Sequence, residues 1–386
     1  MIIEQFSFYK LEEVESIIEL GKVVDANLIL MFGSKEFICN KKVFDTIRNK
    51  YSESYIIGCT TAGEIYGNQV NDGTLTVTAI YFEKSEIKIF SSEIEDVGKD
   101  YEKGLGIAKS IPTENLAHVF LLAEGENING SKIVEGLVDG LPEHAKITGG
   151  LSGNGNTFKD TFVISNDYAK LNQIVAVAFY GDKIRIGYGS VGGWDTFGIE
   201  RFVTKSKENI VYELDGRPIL DLYNDYLGEY AKDLPASGLL FPLSVRSADN
   251  VYNYVRAVAG VDEKNKSLRF FGEVPEGYYA RLMHANSNNL INGAMKAAEN
   301  SIKNINGKNG EIAILISCVD RKVVLNQMID EEIEAVRNVF GNDVTLTGFY
   351  SYGEIAPSNK DRITEFHNQT MTITLIGEDW YYGWIS

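Results

Sequence analysis

Apolar residues near the start of the chain recur with a helical period, Leu11, Val14, Ile17, Ile18 and Leu20 falling on one face. A continuous apolar run, Leu28 to Phe32, follows and stops at Gly33-Ser34, which predicts a buried strand. Asn40 is placed to cap a helix whose inner face is Val43, Phe44 and Ile47. Tyr55 to Ile57 is the next strand. Leu75 to Phe82 alternates and is rich in Thr and Val, a further strand. Ile87 to Ser91 is expected to pair with it as a hairpin across Glu83 to Glu86.

The pattern then restarts. Val119 to Ala123 is a buried strand, Ser131 can cap a helix with Ile133, Val134, Leu137, Val138 and Leu141 inside, and Lys146 to Thr148 is a strand. Ile174 to Tyr180 and Lys183 to Tyr188 read as a hairpin across Gly181-Asp182. Thirty positions separate Leu28 from Gly58 and also Val119 from Gly149. After Trp194 the texture changes to strands at 209–214, 251–258, 268–271 and 278–283, with a helix from Pro218 and another over 288–305. The unit then returns: strand Ile312 to Ile316, helix 323–340, strand 344–347 and strand Met371 to Ile376, with a last strand Trp380 to Ile385. These elements predict a mixed α/β fold: two closely packed domains with mixed β-sheets flanked by helices, built from repeated strand–helix–strand–Gly-loop–hairpin units. The expected boundaries are an N-terminal helical extension over 1–26, a first domain over 27–207 and a second over 208–386.

Each unit carries a related loop. Gly58-Cys-Thr-Thr-Ala-Gly-Glu64-Ile and Gly348-Phe-Tyr-Ser-Tyr-Gly-Glu354-Ile both read G-x-x-[ST]-x-G-E-I, and Gly149-Gly-Leu-Ser152-Gly-Asn154 keeps the glycine and hydroxyl but loses the Glu. A Gly-rich turn exposes backbone N–H groups that form an anion-binding concavity. Thr60, Thr61, Ser152 and Ser351 add hydroxyls, with Asn154 and Tyr350 beside them, and Glu64 and Glu354 suit an ammonium. Arg321 or Arg256 could hold a carboxylate bidentately. An amino acid carries both groups, so the loops are expected to line a shared ligand site. The plain alternative also stands: the glycines make tight turns, each Glu bonds local amides, and Arg321 forms an ordinary ion pair.

The 386 residues suffice for two domains, and 44% hydrophobic with 24% charged residues is ordinary for a globular protein. A net charge of −17 argues against nucleic acid and anionic membrane surfaces as partners. Three scattered cysteines give neither a disulfide framework nor a C-x-x-C motif, and four separated histidines give no structural zinc site. No signal-peptide pattern opens the chain, and no apolar run nears the roughly 18 residues of a spanning helix, so a cytoplasmic location is expected. Enzyme signatures are thin. Gly187-Tyr-Gly-Ser-Val-Gly192 matches G-x-G-x-x-G but leads into Gly193-Trp194-Asp195 rather than a helix. Cys318 lies three residues from Arg321, which keeps open an enzyme acting on small metabolites through Cys318 or Glu354.

Cys59-Thr-Thr-Ala-Gly-Glu64, Pro235-Ala-Ser-Gly-Leu-Leu-Phe-Pro242, Glu276-Gly277, Ser317-Cys-Val-Asp-Arg321 and Gly348 to Glu354 together resemble the FIST family, bacterial proteins with paired FIST N and FIST C domains. The resemblance spans roughly 27–210 and 211–378. It implies a small-molecule sensor without catalysis, with amino acids a ligand class, working beside a histidine kinase, cyclase or chemotaxis-type signalling protein. The chain ends eight residues after its last FIST-like strand, so output is expected to run through a separate partner. Some family members are haem proteins that sense nitric oxide, which makes His118 and His284 the candidate axial ligands here. Otherwise no cofactor is expected.

Overall fold

The computed structural model describes the chain except residues 95–97, 156, 158, 251–252, 306–309, 359–362 and 380–386. The expected strand Trp380 to Ile385 lies outside the described residues.

The strand–helix–strand unit occurs three times. In the first, Leu28–Gly33 runs parallel to Tyr55–Thr60 across the helices Lys35–Ile38 and Lys41–Lys50, and Leu75–Tyr81 returns antiparallel to Leu28–Gly33. In the second, Leu116–Ala123 is parallel to Lys146–Leu151 across helix Gly130–Gly140, with Gln173–Tyr180 returning. In the third, Ile312–Cys318 is parallel to Thr345–Ser351 across the helices Val319–Leu325 and Ile329–Phe340, with Met371–Glu378 returning.

Both faces of these strands are buried, which explains their continuous apolar runs. Leu28, Leu30 and Phe32 point to a central cluster that also takes Phe120 and Leu122 from the second unit and Ile312, Ile314, Ile316 and Phe349 from the third. Ile29 and Met31 point the other way, under Val43, Phe44 and Ile47 of their own helix. The second and third sheets repeat this arrangement with their own helices. Three sheets therefore face one apolar axis, with helices outside.

The units exchange strands. The hairpin Glu64–Tyr66 and Gln69–Asn71 of the first unit adds to Thr345–Ser351 of the third. Gly353–Pro357 and Thr364–His367 of the third add to Lys146–Leu151 of the second. Val163–Ser165 of the second adds to Tyr55–Thr60 of the first. The exchange closes a circle.

Three expectations change. Glu86–Glu93 does not pair with Leu75–Tyr81 but with Gln173–Tyr180, and Ile184–Val191 pairs not with Gln173–Tyr180 but with Met371–Glu378. Each expected partner already has a neighbour on both sides: Leu75–Tyr81 lies between Ile2–Phe8 and Leu28–Gly33, and Gln173–Tyr180 between Leu116–Ala123 and Glu86–Glu93. Nor are residues 1–26 a helical extension. Ile2–Phe8 is an edge strand of the first sheet, and helical backbone is confined to the 3₁₀ turn Leu11–Ser16 and Ile17–Leu20.

Between Ile184–Val191 and the long helix Ser287–Asn304 sits an antiparallel β-body. It includes Arg201–Lys207, Ile210–Leu214, Leu243–Arg246, Asn253–Arg256, Val258–Asp262, Ser267–Phe270 and Tyr279–His284, with helix Ile219–Leu227. It has its own core around Val203, Leu222, Tyr223 and Phe270.

Candidate functional site

The three related loops meet. The Ala62 amide donates to the Tyr350 carbonyl at 2.8 Å, Gly153 N–H to Thr60 at 2.9 Å, and Tyr352 N–H to Leu151 at 3.4 Å. Each loop thus bonds the next around the axis, which is the convergence the repeated motif predicts.

What the loops do with their side chains is different from ligand recognition. Glu64 is 1% exposed and Glu354 is 0% exposed, and both are held from within the chain. The Thr61 hydroxyl donates to one Glu64 oxygen, and the Thr74 amide and hydroxyl donate to the other at 2.9 and 2.7 Å. Ser351 donates to Glu354 at 2.6 Å, and the Thr370 amide and hydroxyl donate at 3.1 and 3.0 Å. Burial raises both carboxyls, Glu354 to about 8, against the pull of those donors. In the second loop Gly155 stands where the Glu would be, and the buried Ser152 hydroxyl has no hydrogen-bond partner among the described residues.

The remaining expected residues scatter. Thr60 accepts from the Phe162 amide at 2.9 Å, inside the first sheet. Tyr350 donates to Glu332 at 2.7 Å. Arg321 is fully buried; its Nε bonds Glu332 at 2.8 Å and its other nitrogens the Gly192 and Leu290 carbonyls at 2.7 and 2.8 Å. Arg256 is 3% exposed and donates to the carbonyls of Glu273, Val255 and Phe366 at 3.0 to 3.1 Å. Both guanidiniums thus spend their donors inside the fold, so neither is placed as a carboxylate clamp. Asn154 is half-buried and bonds the Lys159 carbonyl at 2.9 Å. Burial pushes the Cys318 thiol well up, and the negative charges of Asp320 and Glu354 push the same way, so the thiolate that nucleophilic chemistry requires is disfavoured.

The two candidate histidines lie apart from the loops. His118 is buried in the second sheet with Nε2 at 2.8 Å from Thr148, and burial lowers it to about 3. His284 lies against the Phe197 ring, its Nδ1 at 3.3 Å from the Ala285 carbonyl. Neither lines the cavity described next.

Beside the loop ring is a cavity of about 800 Å³. Leu151 and Tyr352 reach it from the second and third loops, and residues 125–128 with Gly130 from the segment after strand Leu116–Ala123. Phe366 comes from the exchanged strand, and Pro235, Ala236, Leu239, Val258, Arg269 and Phe270 from the β-body. A crevice beyond the carboxyl ends of parallel strands is where open α/β sheets bind ligands. Glycine at 130 is required by packing: a Cβ there would lie 2.7 Å from the Phe366 ring. Tyr352 is fixed from both sides, accepting from the Asn154 amide at 2.9 Å and donating to the Gly155 carbonyl at 3.2 Å. Gln369 ties the β-body's wall to the third unit, its amide donating to Leu239 at 2.9 Å and to Asp320 at 3.0 Å. Sequence reasoning singled out the Pro235–Pro242 stretch and the loops but missed Lys159, Arg269 and Phe366, which have no local motif.

Comparison with known proteins finds two family domains whose junction falls within the β-body. Residues 27–217 match the model of the FIST N domain and residues 220–357 that of the FIST C domain. An uncharacterized protein of Methanocaldococcus jannaschii is 26% identical over 398 residues, covering 91% of this chain and 74% of that protein. The crystal structure of a cyanuric acid hydrolase from A. caulinodans aligns over 98% of this chain and 99% of its own, at 6% identity and a TM-score of 0.39. A second cyanuric acid hydrolase structure aligns over the same shares at 10% identity and a TM-score of 0.36. At such scores neither fold nor activity carries over.

Proposed function

The chain belongs to the FIST family, with a FIST N and a FIST C domain, and from that premise we propose that it is a small-molecule-binding sensory protein whose ligand occupies the cavity between its two halves. The carrying observation is the cavity itself. Its roughly 800 Å³ is in the range of small-ligand sites, and its walls come from both family domains, including the family-like Pro235–Leu239 stretch. A ligand touching both domains can bias their relative arrangement, because it binds one arrangement better than another.

The ligand is taken to be an amino acid or similar small metabolite, bound without turnover. Output passes to a separate partner, a histidine kinase, a cyclase or a chemotaxis-type protein, in the bacterial cytoplasm. Among the described residues no helix is long and apolar enough to cross a membrane. Loop residues enter this reading as the frame of the site: Leu151 and Tyr352 touch the cavity, Ser351 and Glu354 hold the loop that carries Tyr352, and Thr61 and Glu64 hold the first loop bonded to it.

Native mass spectrometry of freshly purified protein, followed by a thermal-shift screen of the amino acids, tests the reading. The variant Ala236→Trp supplies the control, because Ala236 is an exposed cavity residue whose replacement fills space without disturbing the core. A co-purifying or stabilising small molecule that Ala236→Trp excludes, with an unchanged circular dichroism spectrum, is the expected result. A bound molecule indifferent to Ala236→Trp would place the site elsewhere.

A further inference from the structure

Three charged side chains among the described residues line the cavity: Glu126, Lys159 and Arg269. The protein as a whole carries 54 acidic residues against 37 basic ones, so a site with a basic excess runs against the composition. The acid is already engaged, Glu126 accepting from the Asp160 amide at 2.7 Å. The two cations are not paired: among the described residues no carboxylate lies within ion-pair distance of Lys159 or Arg269. Both are exposed, so their charges cost little in the empty protein.

Arg269 is nevertheless positioned. Its guanidinium lies over Gly260, where a Cβ would sit 3.3 Å from Nε and Nη2, and Nη2 reaches the Ala259 carbonyl at 3.4 Å. The Gly130–Gly140 helix begins at the same wall, with Ile128 and Gly130 lining the cavity, so its positive end adds to the field. Leu151, Val258, Phe270, Phe271 and Phe366 give the cavity an apolar and aromatic wall, beside the polar Asn127, Asn209 and Tyr352.

Resting on the cavity reading above, we infer that the ligand class is an organic acid with an apolar or aromatic body, its carboxylate held between Lys159 and Arg269 and its body against the phenylalanines. Glu126 is the one carboxylate among the described lining residues and already holds the Asp160 amide, so the basic excess favours an anionic head group over an ammonium. This narrows the amino-acid class to its carboxylate half.

Isothermal titration of the full-length protein with 3-phenylpropanoate, 3-phenylpropanamide and 3-phenylpropylamine separates the charge from the shared body. The acid should bind at least about tenfold more tightly than the amide or the amine, the difference a charge-assisted pair supplies. Arg269→Gln and Lys159→Gln should each weaken the acid several-fold and leave the amide unchanged, and Lys159→Arg should retain binding. Amide or amine binding as tight as the acid, or glutamine variants that bind the acid normally, would overturn the inference while the cavity still proved to be a site. Silence of all three probes would overturn it too, and the cavity reading would then stand or fall on Ala236→Trp.

Discussion

Glu354 shows how a charge can belong to the frame of a site rather than to its recognition. Its carboxyl has an ordinary value of 4.5 and is pushed to about 8 by burial. In the unfolded chain it releases its proton near the ordinary value, so its contribution to stability is full below pH 4.5 and is lost as pH rises from there to about 8. Asp320, raised to about 6 beside it, and Glu64 act with the same sign. Glu354→Gln keeps an acceptor for the Thr370 amide and removes this titration. Melting curves between about pH 5 and 8 should therefore fall less steeply for Glu354→Gln than for the wild type; an unchanged slope would exonerate Glu354. The buried pair Arg321–Glu332 invites a second measurement. Glu332→Leu leaves a desolvated guanidinium and should cost about 3–5 kcal/mol in urea unfolding, while adding Arg321→Met should restore part of it. The sequence left both residues open, Glu354 between an ammonium partner and a bond to local amides, and Arg321 between a ligand clamp and an ion pair. Its partner lies eleven residues on, beyond Asn326 where φ is 47°, and its other acceptors come from Gly192 and Leu290. No local spacing connects such groups.

At the scale of elements the glycine that begins each loop motif lies within a strand, not in a turn. Gly58, Gly149 and Gly348 sit mid-strand, where a Cβ would come within 2.1, 1.9 and 1.8 Å of the carbonyls of Met31, Leu121 and Leu315 on the parallel neighbour. Gly348 also has a φ of 151°, a region where only glycine is unstrained. Gly67, at the tip of the exchanged hairpin with φ of 57°, has open space around it. Gly348→Ala should thus lower Tm by roughly ten degrees or more or abolish soluble expression, and Gly67→Ala should cost only about 1 kcal/mol. Equal effects would mean that backbone conformation, not the close approach, fixes the motif. The repeat itself was legible because apolar run, helix, strand and loop recur in one order, with a shared 30-residue spacing in the first two units. Strand partners were not, because alternation marks which face of a strand is buried and says nothing about its neighbour. Short connections at Glu83–Glu86 and Gly181-Asp182 suit hairpins, yet the neighbouring strands had no free edge.

Across the whole molecule the circular strand exchange sets what can fold alone. The FIST N half supplies Glu64–Tyr66 to the third sheet and receives Gly353–Pro357 in the second. The central cluster packs Phe32 against Phe349 with ring centroids 4.7 Å apart, one ring from each half. Cutting the chain between the halves would leave open edges on two sheets and expose the apolar axis, a combination that favours aggregation over folding. Two family domains therefore need not mean two folding units. Differential scanning calorimetry of the full chain should give one transition with equal calorimetric and van't Hoff enthalpies, and residues 1–207 expressed alone should be insoluble or lack a cooperative melt. A ligand in the cavity should raise that single transition as a whole, by about 2.7 kcal/mol at a hundredfold excess over Kd. Two separable transitions, with the ligand moving only the later one, would mean that the β-body unfolds by itself and that the signal is read from its docking rather than from the three-sheet core.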